Sequence, residues 1–191
     1  MNIKRGEIEG TLGQYLGNLA TRGLLSLALA LPYKIRVRFM GWFMSRVFAP
    51  LAGYSKRVRE NLHHVMPELP ETEVKRLMRD VPNNAGRTLI EIYSGPEFIA
   101  KMKDIRLEGP GVEILREARD NRRPVILHTG HFGNYDAPRA ALIAHGYDVG
   151  SLYNPMKNKF FNAHYVKAIG TIGQPLFPRG RRGYAKLLKH L

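Results

Sequence analysis

From residue 105 onward, short apolar runs alternate with amphipathic stretches, and that alternation admits few folds. Residues 105–108 alternate like a strand and stop at Gly109-Pro110-Gly111. Residues 124–127, Pro-Val-Ile-Leu, form the apolar run of a buried strand. Residues 147–153 and 174–177 are the next strand candidates. Between them, residues 112–120, 136–145, 158–169 and 183–191 carry helical patterns. Strands and helices in this rotation predict an α/β layer fold. The last helical stretch has no closing glycine and no strand after it, so the expectation is an incomplete mixed sheet flanked by helices, in a truncated product.

The first hundred residues read differently. Residues 12–31 are mostly apolar but include Gln14, Asn18 and Arg22, and residues 39–54 contain Arg46 and Pro50. Neither reaches the roughly 20 uninterrupted apolar residues of a spanning helix. No compact basic, apolar, small-residue progression of a cleaved signal starts at Met1. Two amphipathic helices joined at Pro32 are expected at a membrane interface, with Trp42 and the Lys34/Arg36/Arg38 cluster near the headgroups. The alternative is a pair of ordinary buried helices. Residues 56–104 read as a soluble helical segment, with a helix over 71–79 and breaks at Asn83-Asn84 and Ser94-Gly95-Pro96. The organisation expected is thus 1–55 membrane-associated helices, 56–104 helical segment and 105–191 α/β core.

Charge narrows the partners. The formal net charge is +14, and residues 1–60 hold ten Lys/Arg against three Glu. After Asp148 there are eight basic residues and no acid. Such a field attracts polyanions: nucleic acid, an anionic membrane or an acidic or phosphorylated partner. Cations mixed into apolar helices, with no nucleic-acid motif, favour the membrane over nucleic acid. With no cysteine, disulfides and thiolate metal sites are excluded.

The densest chemistry is Leu127-His128-Thr129-Gly130-His131-Phe132-Gly133-Asn134-Tyr135-Asp136, where a strand candidate gives way to a helix. Five residues apart, His131 and Asp136 would lie ~140° from each other on a regular helix. They meet only if His131 precedes the helix in a turn, which Gly130 and Gly133 permit. Asp136 could then hold one imidazole nitrogen and leave the other as a general base. The same residues also fit a structural hydrogen bond or, with His128, zinc ligation.

His131-Phe132-Gly133-Asn134-Tyr135-Asp136 resembles the His-x4-Asp/Glu signature of the lysophospholipid acyltransferase superfamily. Gly130-His131-Phe132-Gly133-Asn134 resembles more narrowly the late acyltransferases of lipid A, a lipopolysaccharide component. The resemblance continues in Arg59-Glu60-Asn61-Leu62 with Met66-Pro67-Glu68, in Leu107-Glu108-Gly109, and from Tyr153-Asn154-Pro155 to Phe177-Pro178-Arg179-Gly180. It implies a glycerol-phosphate acyltransferase-like fold at the cytoplasmic face of the inner membrane. The implied reaction is O-acyl transfer from an acyl carrier protein or coenzyme A thioester to a lipid A precursor, with no metal or cofactor. His131 would be the general base and Asp136 its orienting partner, with Gly133, Asn134 and Arg179 toward substrate. Tyr135 and Asp136 stand where this branch favours tryptophan and glutamate, and Gly170 where relatives place an arginine. The rival expectation is an inactive truncated chain that still binds lipid or membrane.

Overall fold

A computed structural model describes residues 2–130 and 133–191. In chain order the elements are β1 (Asn2–Arg5), β2 (Ile8–Thr11), α1 (Leu12–Leu29), α2 (Tyr33–Phe43), a π-helical turn (Met44–Phe48), α3 (Ala49–Leu51), α4 (Tyr54–Val65) and α5 (Glu71–Tyr93). There follow α6 (Pro96–Met102), α7 (Val112–Asp120), α8 (Asp136–Ala144), β3 (Ser151–Tyr153), α9 (Lys159–Ile172), β4 (Leu176–Pro178) and α10 (Arg181–His190). The architecture is mostly helical with two small sheets. The chain gathers into two compact units, residues 22–94 and residues 95–191 with the N-terminal 21.

In the helical unit, α5 runs through Asn83-Asn84, where a break was expected, and stops at Ser94. Packing overrides the local signal: α2 and α5 meet closely, and a Cβ on Gly86 would lie 2.4 Å from the Met40 carbonyl oxygen. No side chain fits there, so the glycine costs helix propensity but permits the contact. Val37, Met40, Val74, Ile90 and Ile92 fill the unit's core. The two helices expected around Pro32 are present as α1 and α2. Among the described residues no helix is long and apolar enough to cross a membrane. Arg36 departs from its expected place among headgroups. It is buried, donates from Nη1 to the Leu29 carbonyl at 3.2 Å and lies over the Tyr33 ring. The C-terminal end of α1 offers a carbonyl that a guanidinium can satisfy, and the arginine turns inward to reach it. Lys34, Ile35, Arg38 and Trp42 remain exposed.

The second unit begins with an antiparallel hairpin, β1–β2, turned at Gly6-Glu7. It passes into α1 through a reciprocal cap: Thr11 N–H donates to Gln14 Oε1 and Gln14 N–H to Thr11 Oγ1. Asn158 caps α9 by accepting from the Phe160 and Phe161 amides, and its Nδ2 donates to the Gln14 carbonyl at 2.7 Å. Phe160 is buried in the core, edge-on to Tyr15.

The sheet content is smaller than the alternation predicts. β3 and β4 pair in parallel, Ser151 to Leu176 through Tyr153 to Pro178, across the helix α9. Residues 105–108 and 124–127 form no strand, and Ile126 and Leu127 are 74% and 52% exposed. An apolar run becomes a strand only where a neighbouring edge takes up its backbone hydrogen bonds, and such pairing is non-local.

Candidate functional site

The site is built at the start of α8. Gly133 has φ +59°, a left-handed conformation natural to glycine, and it turns the chain just before the helix. Asn134 follows, and its Oδ1 accepts from the Asp136 amide at 3.0 Å, so a side chain satisfies one of the helix's free N–H groups. Asp136 is the first residue of α8, where the helix dipole favours an anion. His131 and Phe132 lie outside the described residues, and so therefore does the expected His131–Asp136 pairing.

Asp136 is buried and bound to a cation. Its Oδ1 lies 2.8 Å from an Arg139 guanidinium nitrogen, with the two side chains 8% and 7% exposed. The same nitrogen, Nη2, donates to the Ile169 carbonyl at 2.9 Å, which ties α8 to α9. Burial raises the Asp136 pKa above the ordinary carboxylate value, while the charge and hydrogen bond of Arg139 pull it down. Tyr135 is also raised by burial, and its hydroxyl meets that of Tyr165 at 3.3 Å. Arg139 escaped the sequence reading, although Asp136-x-x-Arg139 is the i,i+3 spacing that places opposite charges together on a helix.

The remaining predicted residues separate. Arg179 continues the strand pairing through its amide, which donates to the Tyr153 carbonyl at 2.7 Å, while its side chain is exposed with Arg181 and Arg182. Among the described residues it makes no hydrogen bond or ion pair with Gly133, Asn134 or Asp136. His128 is exposed. At Gly170, a Cβ would come within 2.7 Å of Gln174 Nε2. The cation brought next to this position is Arg139, bonded to the carbonyl of the preceding residue.

Small sheets among predominating helices place the chain broadly in the α/β class. Over residues 5–190 it matches the family described as bacterial lipid A biosynthesis acyltransferase, and it belongs to that family. No curated protein and no solved structure matches it significantly. Family membership makes it an acyltransferase of lipid A biosynthesis, with a lipid A precursor and an acyl donor as substrates.

Proposed function

We propose that the protein transfers a fatty acyl group from an acyl thioester, carried by acyl carrier protein, to a hydroxyl of the lipid A precursor, within a fold of the glycerol-phosphate acyltransferase type. His131 takes the hydroxyl proton as the oxygen attacks the thioester carbonyl. The tetrahedral oxyanion is met by N–H donors of the glycine turn, then collapses. The C–S bond breaks, and the imidazolium returns its proton to the departing thiolate. Asp136 holds the imidazole in orientation and stabilises its charged form. The observation that carries this reading is a buried, Arg139-anchored carboxylate at the first residue of α8, five positions after His131. Gly133 and Asn134 shape the substrate side of the turn, and exposed Arg179 meets phosphate on the acceptor. This chemistry requires no metal or redox cofactor.

The +14 charge suits both an acidic carrier protein and a phosphorylated glycolipid. It suits equally an anionic bilayer, at the cytoplasmic face of the inner membrane. The test is acyl transfer by membranes containing the chain, from labelled acyl carrier protein thioester to a lipid A precursor. His131→Ala is expected to lower the rate roughly 10²–10⁴-fold. Equal product from both would remove His131 from the reaction. Product from neither, with binding to lipid retained, would favour a lipid-binding chain without turnover.

A further inference from the structure

Trp42 is the single tryptophan of the chain, and it is 54% exposed at the end of α2. It lines a cleft of about 550 Å³ together with Arg46, Lys75, Arg76 and Arg79, in the helical unit. Asp80 is the one acid on the lining, and Arg76 holds it at 2.9 Å while also pairing with Glu73 at 2.8 Å. Lys75 reaches Glu71 only at 3.9 Å, and both side chains are exposed. Among the described residues neither Arg46 nor Arg79 is within 4.0 Å of a carboxylate oxygen in an ion pair. Four cations against one acid therefore leave the cleft lining positively charged.

The walls are positioned rather than incidental. The Gly86 contact brings α2 against α5, and a Cβ on Gly41 would lie 2.9 Å from Asn83 Oδ1 and Arg87 Cγ. Ser45 is buried and donates to the Arg79 carbonyl at 2.8 Å, which fixes the two sides of the cleft to each other. Arg46 lies in the π-helical turn Met44–Phe48, a rare local winding that recurs at functional sites. That turn exposes Phe48, and α3 directly after it exposes Leu51, at 84%. An anion pocket with an indole at its rim, and exposed apolar side chains in the residues that follow, matches the chemistry of a lipid surface, which offers both phosphate and acyl chains.

We propose that this cleft binds the phosphate of an anionic lipid headgroup, with Arg46 and Arg79 as its ligands and Trp42 seated in the interface. The proposal rests on the membrane-surface part of the function above and names the residues through which that surface is held.

Trp42 makes the test direct, because its fluorescence reports on the cleft alone. The full chain is titrated with phosphatidylglycerol vesicles, with phosphatidylcholine vesicles and with inorganic phosphate. A blue shift that saturates with phosphatidylglycerol is expected, with little from the other two. The pair Arg46→Gln with Arg79→Gln is expected to weaken vesicle binding about 30-fold, as removal of two cations held against the headgroups would. The pair Lys186→Gln with Lys189→Gln, on α10, removes the same charge elsewhere and should weaken it no more than roughly twofold. Arg46→Lys with Arg79→Lys keeps the charge and should restore most of the binding. Equal loss from both Gln pairs would show net charge acting instead of a site and would overturn the proposal. Inorganic phosphate giving the full spectral change would overturn the lipid assignment. Absence of binding by the unmutated chain would overturn both the cleft and the membrane reading, whereas binding unaffected by Arg46→Gln with Arg79→Gln would overturn the cleft alone.

Discussion

Two acids open helices in the two units, Glu71 at the start of α5 and Asp136 at the start of α8. Each lies 2.8 Å from an arginine nitrogen, Glu71 from Arg59 and Asp136 from Arg139. Their protonation moves in opposite directions all the same. Glu71 is lowered, first by its hydrogen bond from Arg59, whereas Asp136 is raised, first by burial, against the pull of Arg139. The closest approach is the same, but Arg59 grips Glu71 through two nitrogens and Arg139 holds Asp136 through one, and access to water differs: the Glu71 side chain is 49% exposed and that of Asp136 8%. An exposed pair is screened and adds little, whereas a buried one leaves a charge stranded if either partner goes. The Asp136–Arg139 pair also has a structural duty, since the same guanidinium nitrogen reaches the Ile169 carbonyl across the α8–α9 contact.

The strongest test of that contrast is Arg139→Met. Loss of the buried partner is expected to cost about 3–5 kcal/mol in urea unfolding. It should also raise the Asp136 pKa further, because both influences that lower it come from Arg139. Carbon-detected NMR of labelled aspartate reads that titration. A loss no larger than that of a surface substitution would mean the pair is not buried as described.

Gly86→Ala is the comparison's counterpart in the helical unit, where close approach of helices supplies the cohesion. The added methyl meets the Met40 carbonyl and the Met44 side chain, and overpacking of that kind costs about 1–3 kcal/mol. Thermal unfolding of the variant checks it. An unchanged Tm would show that α2 and α5 separate at little cost.

Smaller, but sharper in sign, are the pH dependences. Asp136 has a folded pKa above its unfolded value, so its contribution is fully present below about 3.9 and is lost as pH rises through the folded value. Glu71 is the reverse: its contribution is present above about 4.3 and lost as pH falls through its lowered folded value. Urea midpoints measured between pH 3 and 7 should therefore differ from the parent's in opposite slopes for Asp136→Asn and Glu71→Gln, with the second slope shallow because that pair is exposed. Slopes of the same sign would contradict the burial argument. The smallest effect belongs to Arg59→Met, which should leave the unfolding midpoint nearly unchanged although it breaks two hydrogen bonds to Glu71.

Local rules carried the sequence reading a good distance. The helix expected over 112–120 is α7, and those expected at 136–145 and 158–169 are α8 and α9, within a few residues at their ends. Amphipathic spacing made α7 legible, while Asp136 and Asn158 mark the starts of α8 and α9. The break at Ser94-Gly95-Pro96 was legible too, because the chain there combines glycine with a proline that opens α6. Non-local interactions were not. Asn83-Asn84 sits inside α5 because α2 packs on it, and the apolar run 124–127 stays exposed because, among the described residues, no strand pairs with it. The hairpin at residues 2–11 is polar and carries no strand pattern, although Thr11-x-x-Gln14 is a capping-box signal in plain view. At the site, the glycine turn and the position of Asp136 were readable. Arg139 was not legible as part of the site, because an i,i+3 charge pair is common on exposed helices and its burial here depends on the non-local contact with α9.

The central claim is that the buried carboxylate of Asp136 acts through His131. Acyl-transfer rates of Asp136→Asn, made alone and in a His131→Ala background, test this most directly. If the two residues act as a unit, Asp136→Asn lowers the rate strongly in the unmutated chain and adds almost nothing once His131 is gone. A full additional loss in the His131→Ala background, or no loss in the unmutated chain, would contradict the account.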